Sequence, residues 1–315
     1  MRTVFIVNPQ ARNGYSLKKW KELESELYTK LENVEIYYTK YQNHAKDLVK
    51  EMEQSFKDEQ VMVVAVGGDG TVHEIINGAI LKEHLVIGCI PGGSGNDFMK
   101  GFGQGRTMKD SLSILIDQIK RQGGSQSFDC GAYRLGKYQQ GFFVNNMGAG
   151  FDAQVVKRAN ASVVKKWLNR FSLGKLIYAF YLLKELFFFK PETLQIKVDE
   201  ETYSFDDTWF VSISNQPFYG GGMKIAPYAN PTDGLLDITV VHKVTRLKLL
   251  FLFMTVYTGK HLQLKEVKSY QGKQIVVHSE SDLQVHADGE EVGRINGQSN
   301  DQLSITVQEK SWKML

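Results

Sequence analysis

Cysteine is nearly absent: the 315 residues contain two, Cys89 and Cys130. They form no CxxC pair, which excludes a disulfide framework and a cysteine-rich metal site and makes a reducing cytoplasm the default. Long apolar runs are lacking as well. The two most apolar stretches, Leu176–Phe189 and Leu249–Tyr257, fall short of the roughly 18–20 residues that span a bilayer, and the first contains Lys184 and Glu185. No transmembrane segment is expected. The opening "MRTVFIVNPQ" breaks at Asn8-Pro9 and reads as a first strand, not a signal peptide. One-sided charge is missing too: a formal net charge of +3 is too mild to argue for nucleic acid. The sequon Asn160-Ala-Ser162 reads as chance in a cytosolic chain. Familiar catalytic signatures also fail. There is no GxxxxGK[ST], "HEIIN" at His73 is one residue short of HExxH, and no Ser/His/Asp order or metal-type Cys/His cluster stands out.

What is present is ordered. Length suggests about two domains, and a hydrophobic content of 42% allows each a real core. Residues 1–125 alternate strand and helix. Buried strands are expected at Thr3–Val7, Val34–Thr39, Val61–Val66 and Leu85–Ile90. Between them lie a helix through Leu17, Trp20, Leu23, Leu27 and Leu31 with Ser16 as N-cap, a second over 44–57, and a third from Thr71. That alternation gives a mainly parallel sheet with right-handed crossovers. Ligands of such sheets bind beyond the carboxyl ends of the strands. Three loops sit there: Asn8–Gly14, Gly67–Thr71 and Pro91–Asp97. After residue 125 the texture changes to alternating, β-branched and aromatic segments, among them "YQQGFFVNNMGAGFDA", which predict a mainly antiparallel domain over residues 126–315. One helical stretch, about 155–190, interrupts it, and the extreme C-terminal strand is free to return to the first domain.

Two of those loops carry the chemistry. "GGDGT" leaves an apolar strand and enters a helix with almost no linker, and "PGGSGND" does the same about twenty residues later. Glycines permit close backbone approach, and amides at a helix start attract negative charge. Either turn alone could be a tight connection. Two on one sheet edge read as walls of a phosphate cleft. Asp69, a carboxylate among those amides, does not fit a bare phosphate cradle. "GAGFDA" (Gly148–Ala153) matches GxGxxA, but with no βαβ unit after it the match is weak.

In this order, "FIVNPQARNG", "GGDGT" with "PGGSGND", "NPTDGLLDITVV" and "HADGEEVG" resemble the diacylglycerol kinase catalytic domain family, which includes sphingosine kinases and small bacterial lipid kinases and is more distantly related to NAD kinases. The resemblance runs along essentially the whole chain. It implies a two-domain lipid kinase/NAD kinase-like fold: an α/β nucleotide-binding domain, then a β-rich lipid- and metal-binding domain. It implies an ATP- and Mg²⁺-dependent kinase. Asn8, Pro9, Gln10, Ala11 and Arg12 would line the nucleotide, with Arg12 near its phosphates and Thr39 near the adenosine. Val66, Gly67, Gly68, Asp69, Gly70, Thr71 and Val72 would wrap the triphosphate with Glu74 nearby, and Gly93, Ser94 and Asn96 would close the other side. Ser94 stands where the bacterial family often has threonine, and keeps the hydroxyl. The Asp233 carboxylate and the carbonyls of Asn230 and Leu235 would hold Mg²⁺, an ion that prefers hard oxygen ligands. Water would link the ion to Asp69, giving that carboxylate its reason. Of the triplet Asp288-Gly289-Glu290, Asp288 is the first choice for catalytic base and Glu290 the second; alone the triplet reads as a hairpin turn.

The implied reaction converts ATP and diacylglycerol to ADP and phosphatidic acid in phospholipid metabolism. Other acceptors stay open, phosphatidylglycerol and a sphingoid base among them. So do a soluble NAD kinase and a nucleotide-binding regulator without catalysis, which the retained Asp69, Asp233 and DGE pair argue against. Residues 155–190 carry eight Lys/Arg against one acid, Glu185, with Trp167, Phe171, Leu176, Phe180, Leu183 and Phe187 among them. They read either as a basic amphipathic surface resting on anionic lipid or as a core helix with a solvated basic face. The expected partners are a lipid substrate and the inner membrane face, met peripherally from the cytoplasm, with no nucleic acid. A homodimer is compatible with the sequence.

Overall fold

The computed structural model describes residues 2–57, 59–93, 96–102, 107–121, 123–162, 174–299 and 301–315, and of 174–176 the backbone alone. The chain divides into two compact units, Met1–Phe128 with Glu309–Leu315, and Asp129–Gln308.

In the first unit apolar strands alternate with amphipathic helices: β1 (Arg2–Val7), α1 (Tyr15–Lys30), β2 (Val34–Tyr38), α2 (His44–Ser55), β3 (Val61–Gly67), α3 (Asp69–Ala79), β4 (Leu85–Pro91), α4 (Asp97–Gly101) and α5 (Met108–Lys120). Every residue of β3 and β4 is buried, which is why both read as unbroken apolar runs. The strands pair in parallel in the order β4-β3-β1-β2, with Phe5 opposite both Val64 and Ile36. Met314, near the chain end, pairs in parallel with Ile87 of β4. On one face Trp20 and Leu27 of α1 and Leu112, Leu115 and Ile116 of α5 pack on Phe5, Val64 and Val86.

The second unit is antiparallel. It contains most of β5 (Gln126–Leu135), then β6 (Gln139–Phe143), β7 (Asn146–Gly150), α6 (Phe151–Ala161), α7 (Gly174–Phe188), β8 (Glu192–Val198), β9 (Glu201–Ser214), the short pair β10 (Phe218–Tyr219) and β11 (Met223–Lys224), β12 (Leu236–His242), α8 (Arg246–Val256), β13 (Val267–Gly272), β14 (Gln274–Ser279), β15 (Leu283–Ala287), β16 (Glu290–Ile295), and β17 (Gln302–Met314) as far as Gln308. The order β16-β15-β7-β9-β8-β14-β17 forms one run, and β12 bridges β9 and β13. Val211 and Ile213 of β9 enter one core cluster, and Phe210 enters a second beneath α6–α8. Burial on both faces explains why this strand lacks clean alternation.

Three expectations are corrected. "GAGFDA" does not continue a strand, because β7 stops at Gly150 and a helix starts at Phe151. Gly150 makes that turn at φ +116, where a Cβ would strike the Trp209 carbonyl. The third helix begins at Asp69, two residues before Thr71. Ser16 is no N-cap: Gly14 holds that position, and the buried Ser16 hydroxyl donates to the Gly92 carbonyl. Of the helical stretch expected over about 155–190, residues 163–173 lie outside the described residues, and the described parts are helical in α6 to Ala161 and in α7 from Gly174 to Phe188. The apolar run at 249 is a helix, α8.

Trp20 is fully buried against Phe5, with ring centroids 5.4 Å apart. Trp20→Ala should therefore cost about 3–5 kcal/mol of stability, read as a lower urea midpoint with the slope unchanged.

Candidate active site

The first unit has a strand-end edge made largely of backbone. The parallel strands end at Val7, Tyr38, Gly67 and Pro91, and the sheet order reverses between β1 and β3, the switch point where such sheets bind ligands. Asn8 sits there. Its amide donates to the Val66 carbonyl at 2.9 Å and its side-chain nitrogen to the Thr71 hydroxyl at 3.0 Å. Its own Oδ1 accepts from the Gln10 amide at 2.9 Å. The loop then passes through Pro9 and Ala11 to Arg12 and Asn13, both left-handed (φ +49 and +55), and Arg12 stacks its guanidinium 4.9 Å from the Tyr15 ring centroid. Thr39, at the neighbouring strand end, is held by its amide on the Val7 carbonyl at 2.9 Å.

The two glycine turns touch. The Gly92 amide donates to Gly67 O at 2.6 Å. A Cβ on Gly93 would lie 2.5 Å from the Gly68 Cα, and one on Gly68 would lie 3.0 Å from the Gly93 Cα. Only residues without side chains allow this approach. Gly70 differs, since a Cβ there meets nothing within 4 Å. Asn96, left-handed at φ +52, accepts the Gly93 amide on its Oδ1 at 3.1 Å. Ser94 lies outside the described residues.

Asp69 now has a partner. Its Oδ1 accepts the Phe98 amide at 3.0 Å, so it ties the start of α3 to the first turn of α4. Burial pushes its carboxyl above the usual range, and the Phe98 amide opposes that shift. Glu74 is engaged by the preceding helix. Its two oxygens accept the amides of Asn43 and Ala45, at 2.9 and 3.1 Å, and cap α2. Val66 and Val72 are buried, which leaves them only backbone groups to offer a ligand.

The second unit, taken by itself, carries the predicted carboxylates. Asp288-Gly289 is a two-residue hairpin turn between β15 and β16, with φ +49 and +82 and Ala287 opposite Glu290. The Asp288 carboxylate accepts three amides, from Val144 at 2.8 Å, Asn145 at 2.8 Å and Asn146 at 3.0 Å. Glu290 is exposed at the start of β16. Helix α6 clamps the hairpin: Asn160 donates to the Gly289 carbonyl at 3.0 Å, Lys157 meets Glu291 at 2.8 Å, and Asp152 meets the buried His286 at 3.1 Å.

The Asn230–Leu235 turn is braced by Leu235 N donating to Asp233 Oδ1 at 3.0 Å and Asp233 N to Asn230 O at 3.4 Å. Beneath it lies Asp129, a buried carboxylate that the sequence reading missed. It accepts the Gly234 amide at 2.8 Å, and its own amide donates to Pro231 O at 2.8 Å. The available signal was an acid between the apolar Phe128 and Cys130. Asp237 is pushed up to about 6, first by burial and then by the charge of Asp233, while Gln271 opposes. Among the described residues neither Asp233 nor Asp237 pairs with a lysine or arginine. No three His, Cys, Asp or Glu side chains cluster there as metal ligands either. One exposed carboxylate with peptide carbonyls is a hard-oxygen donor set, and it fits Mg²⁺.

Comparison with known proteins gives this geometry its family. Residues 2–128 match the diacylglycerol kinase catalytic domain, and residues 145–303 match the YegS C-terminal NAD kinase beta sandwich-like domain. The chain belongs to the bacterial diacylglycerol kinase-like family of lipid kinases. It is 33% identical to YtlR of Bacillus subtilis over 291 residues, 92% of this chain and 93% of that one. It is 31% identical to a diacylglycerol kinase of Mycobacterium tuberculosis over 229 residues, 72% and 70% of the two chains. The fold is that of a Bacillus anthracis diacylglycerol kinase structure (TM-score 0.70, 20% identity, 99% and 96% covered) and, more distantly, of an Archaeoglobus fulgidus NAD kinase (0.54, 13%, 100% and 93%). A member of this family is an ATP-dependent phosphotransferase acting on a lipid hydroxyl.

The contrast between the two glycines is testable without any ligand. Gly93→Ala should lower the apoprotein's stability by about 1–3 kcal/mol, the usual cost of overpacking, while Gly70→Ala should not lower it. Thermal melts of the two variants check this. If Gly70→Ala melts as wild type but loses ATP binding in calorimetry, the open space beside Gly70 belongs to the nucleotide.

Proposed function

We propose that this enzyme phosphorylates diacylglycerol to phosphatidic acid with ATP, that the first unit's glycine turns hold the triphosphate, and that Glu290 is the catalytic base. The observation that carries the reading is the contact of the two glycine turns beside Asn8 and Thr71 at the sheet's switch point. It leaves a backbone-lined edge at a helix start, where phosphate is favoured. The choice of diacylglycerol is supported by relatives that carry that name at 31% identity.

Transfer forms a bond between the lipid oxygen and the γ-phosphorus and breaks the bond from that phosphorus to the β–γ bridging oxygen. The hydroxyl proton goes to a base and ADP leaves. The chain's part is positioning and proton transfer. Amides at the start of α3 would orient the phosphates, and Arg12 would offset their charge. Magnesium, held by Asp233 and the carbonyls of Asn230 and Leu235, would supply charge neutralisation at the phosphate oxygens. Asp288 is better placed to position than to accept a proton, because three amides already occupy its carboxylate. It fixes the turn from which Glu290 projects. That ordering reverses the sequence-based preference for Asp288.

Glu290→Gln should lower kcat by about 10²–10⁴-fold with the KM for ATP and the melting temperature unchanged. Asp288→Asn should lower stability and activity together, because an amide nitrogen would then face backbone N–H groups. Wild-type turnover in Glu290→Gln would sink the base assignment.

The expectation from the sequence that Asp69 and Asp233 act together is tested by a double-mutant cycle. In activity measured across a magnesium titration, the double alanine variant should then lose less than the sum of the single losses, by about 0.5–3 kcal/mol. Strict additivity would separate the two residues.

A further inference from the structure

Helix α8 has the sequence RLKLLFLFMTV, apolar on every side. Such a helix in a globular protein is normally enclosed. Here only half of it is. Leu249, Leu252, Phe253 and Val256 are buried in the cluster beneath α6–α8, whereas Leu247, Phe251 and Met254, at spacings of four and three, point outward at 73%, 70% and 70% exposure. Tyr257 continues the stripe. Helix α7 repeats the arrangement: Leu186 is buried, and Phe180, Leu183, Phe187 and Phe188 are exposed. The two helices are fastened together. Arg246, at the start of α8, donates to the carbonyls of Leu186 and Phe189, the second at 3.2 Å, and Leu186, Leu249, Leu252 and Phe253 share one core cluster. Scattered exposed hydrophobics need no explanation, but an exposed apolar stripe on each of two linked helices does.

Charge indicates what covers it. From Ile238 to Lys265 the chain has no Asp or Glu and five Lys/Arg: Lys243, Arg246, Lys248, Lys260 and Lys265. On α7 the one acid, Glu185, is buried beside Arg158 at 3.6 Å and Gln154 at 3.5 Å. Outside that window Glu266, buried, pairs with Lys248 at 2.7 Å and Asp206 with Lys243 at 3.0 Å. The exposed apolar stripes themselves carry no acid, and Lys184, Lys190, Lys260 and Lys265 beside them make no ion pair among the described residues. A second copy docking face to face would bring two basic rims together. An anionic bilayer offers apolar tails and negative headgroups at the matching depths. Neither helix is long and apolar enough to cross a membrane, so the geometry is that of helices lying in the interface.

We infer that the joined outer faces of α7 and α8 are the surface by which this enzyme docks on an anionic lipid bilayer, with Phe251 and Met254 entering the acyl boundary. The inference takes its partner from the lipid-kinase reading, while the surface itself stands on exposure, packing and charge. It also shifts the weight of membrane contact from the cations of 155–190, several of which (Lys165, Lys166 and Arg170) lie outside the described residues, to apolar insertion by α8.

The test uses the full-length protein and vesicles of phosphatidylglycerol mixed with phosphatidylcholine, with pure phosphatidylcholine as control. Wild type should sediment with the anionic vesicles, bind the neutral ones much less, and be released as salt rises. Phe251→Glu with Met254→Glu should weaken vesicle binding about tenfold or more while leaving activity on short-chain diacylglycerol dispersed in detergent unchanged. Phe180→Glu with Phe187→Glu is the matching variant on α7. Undiminished vesicle binding by both variants would overturn the inference. So would a wild-type dimer in sizing chromatography that the substitutions convert to monomer with vesicle binding intact. Vesicle binding as expected, with no phosphorylation of dispersed diacylglycerol by wild type, would leave the surface standing and remove the substrate instead.

Discussion

The first unit depends on two stretches of backbone coming closer than side chains permit. Gly67–Gly68 and Gly92–Gly93 meet at the carboxyl edge of β3 and β4, where the ladder runs out at Gly67 opposite Pro91. A methyl group on Gly93 would push the turns apart. Everything else at that edge is arranged on this contact. Ser16 reaches across from α1 to the Gly92 carbonyl, Asn96 turns left-handed to hold the Gly93 amide, and Asp69 ties α3 to α4. The result is an edge whose described turns are cross-tied by hydrogen bonds. A site for an anion needs that pre-organisation, since dipoles fixed in advance need no reorganising when charge arrives.

The second unit solves a different problem, holding carboxylates still without neutralising them. Asp288 does it with three backbone amides, and Asp129 with the Gly234 amide beneath the Asn230–Leu235 turn. Helix α6 then presses the hairpin into place through Asn160, Lys157 and Asp152. The same helix is linked to α7, because Tyr178 donates to the Asn160 Oδ1 at 3.0 Å. One asparagine thus receives a bond from the helix with the exposed apolar face and gives one to the turn that presents Glu290. The helix with the exposed apolar stripe and the Asp288-Gly289 hairpin therefore share a support.

The sequence by itself determined the architecture and the local turns on which the proposed site rests. Period-two and period-3.6 patterns and unbroken apolar runs report burial, which is a property of each segment, so the parallel and antiparallel halves were legible. The glycine turns, the Asp-Gly hairpin and the Asn230–Leu235 loop were legible because their backbone conformations demand particular residues locally. What only the tertiary structure decided were the roles that depend on partners far away in the chain. Nothing local tells that Asp288 faces amides 142–144 residues earlier, that Glu74 caps another helix, that Ser16 reaches across to Gly92, or that Asp129 sits beneath a turn 105 residues on. Nor could the apolar run of α8 disclose which side faces out, because a helix hydrophobic all round has no periodicity to read. A hydrogen bond is specified by the geometry of both ends, and a sequence gives only the identity of each.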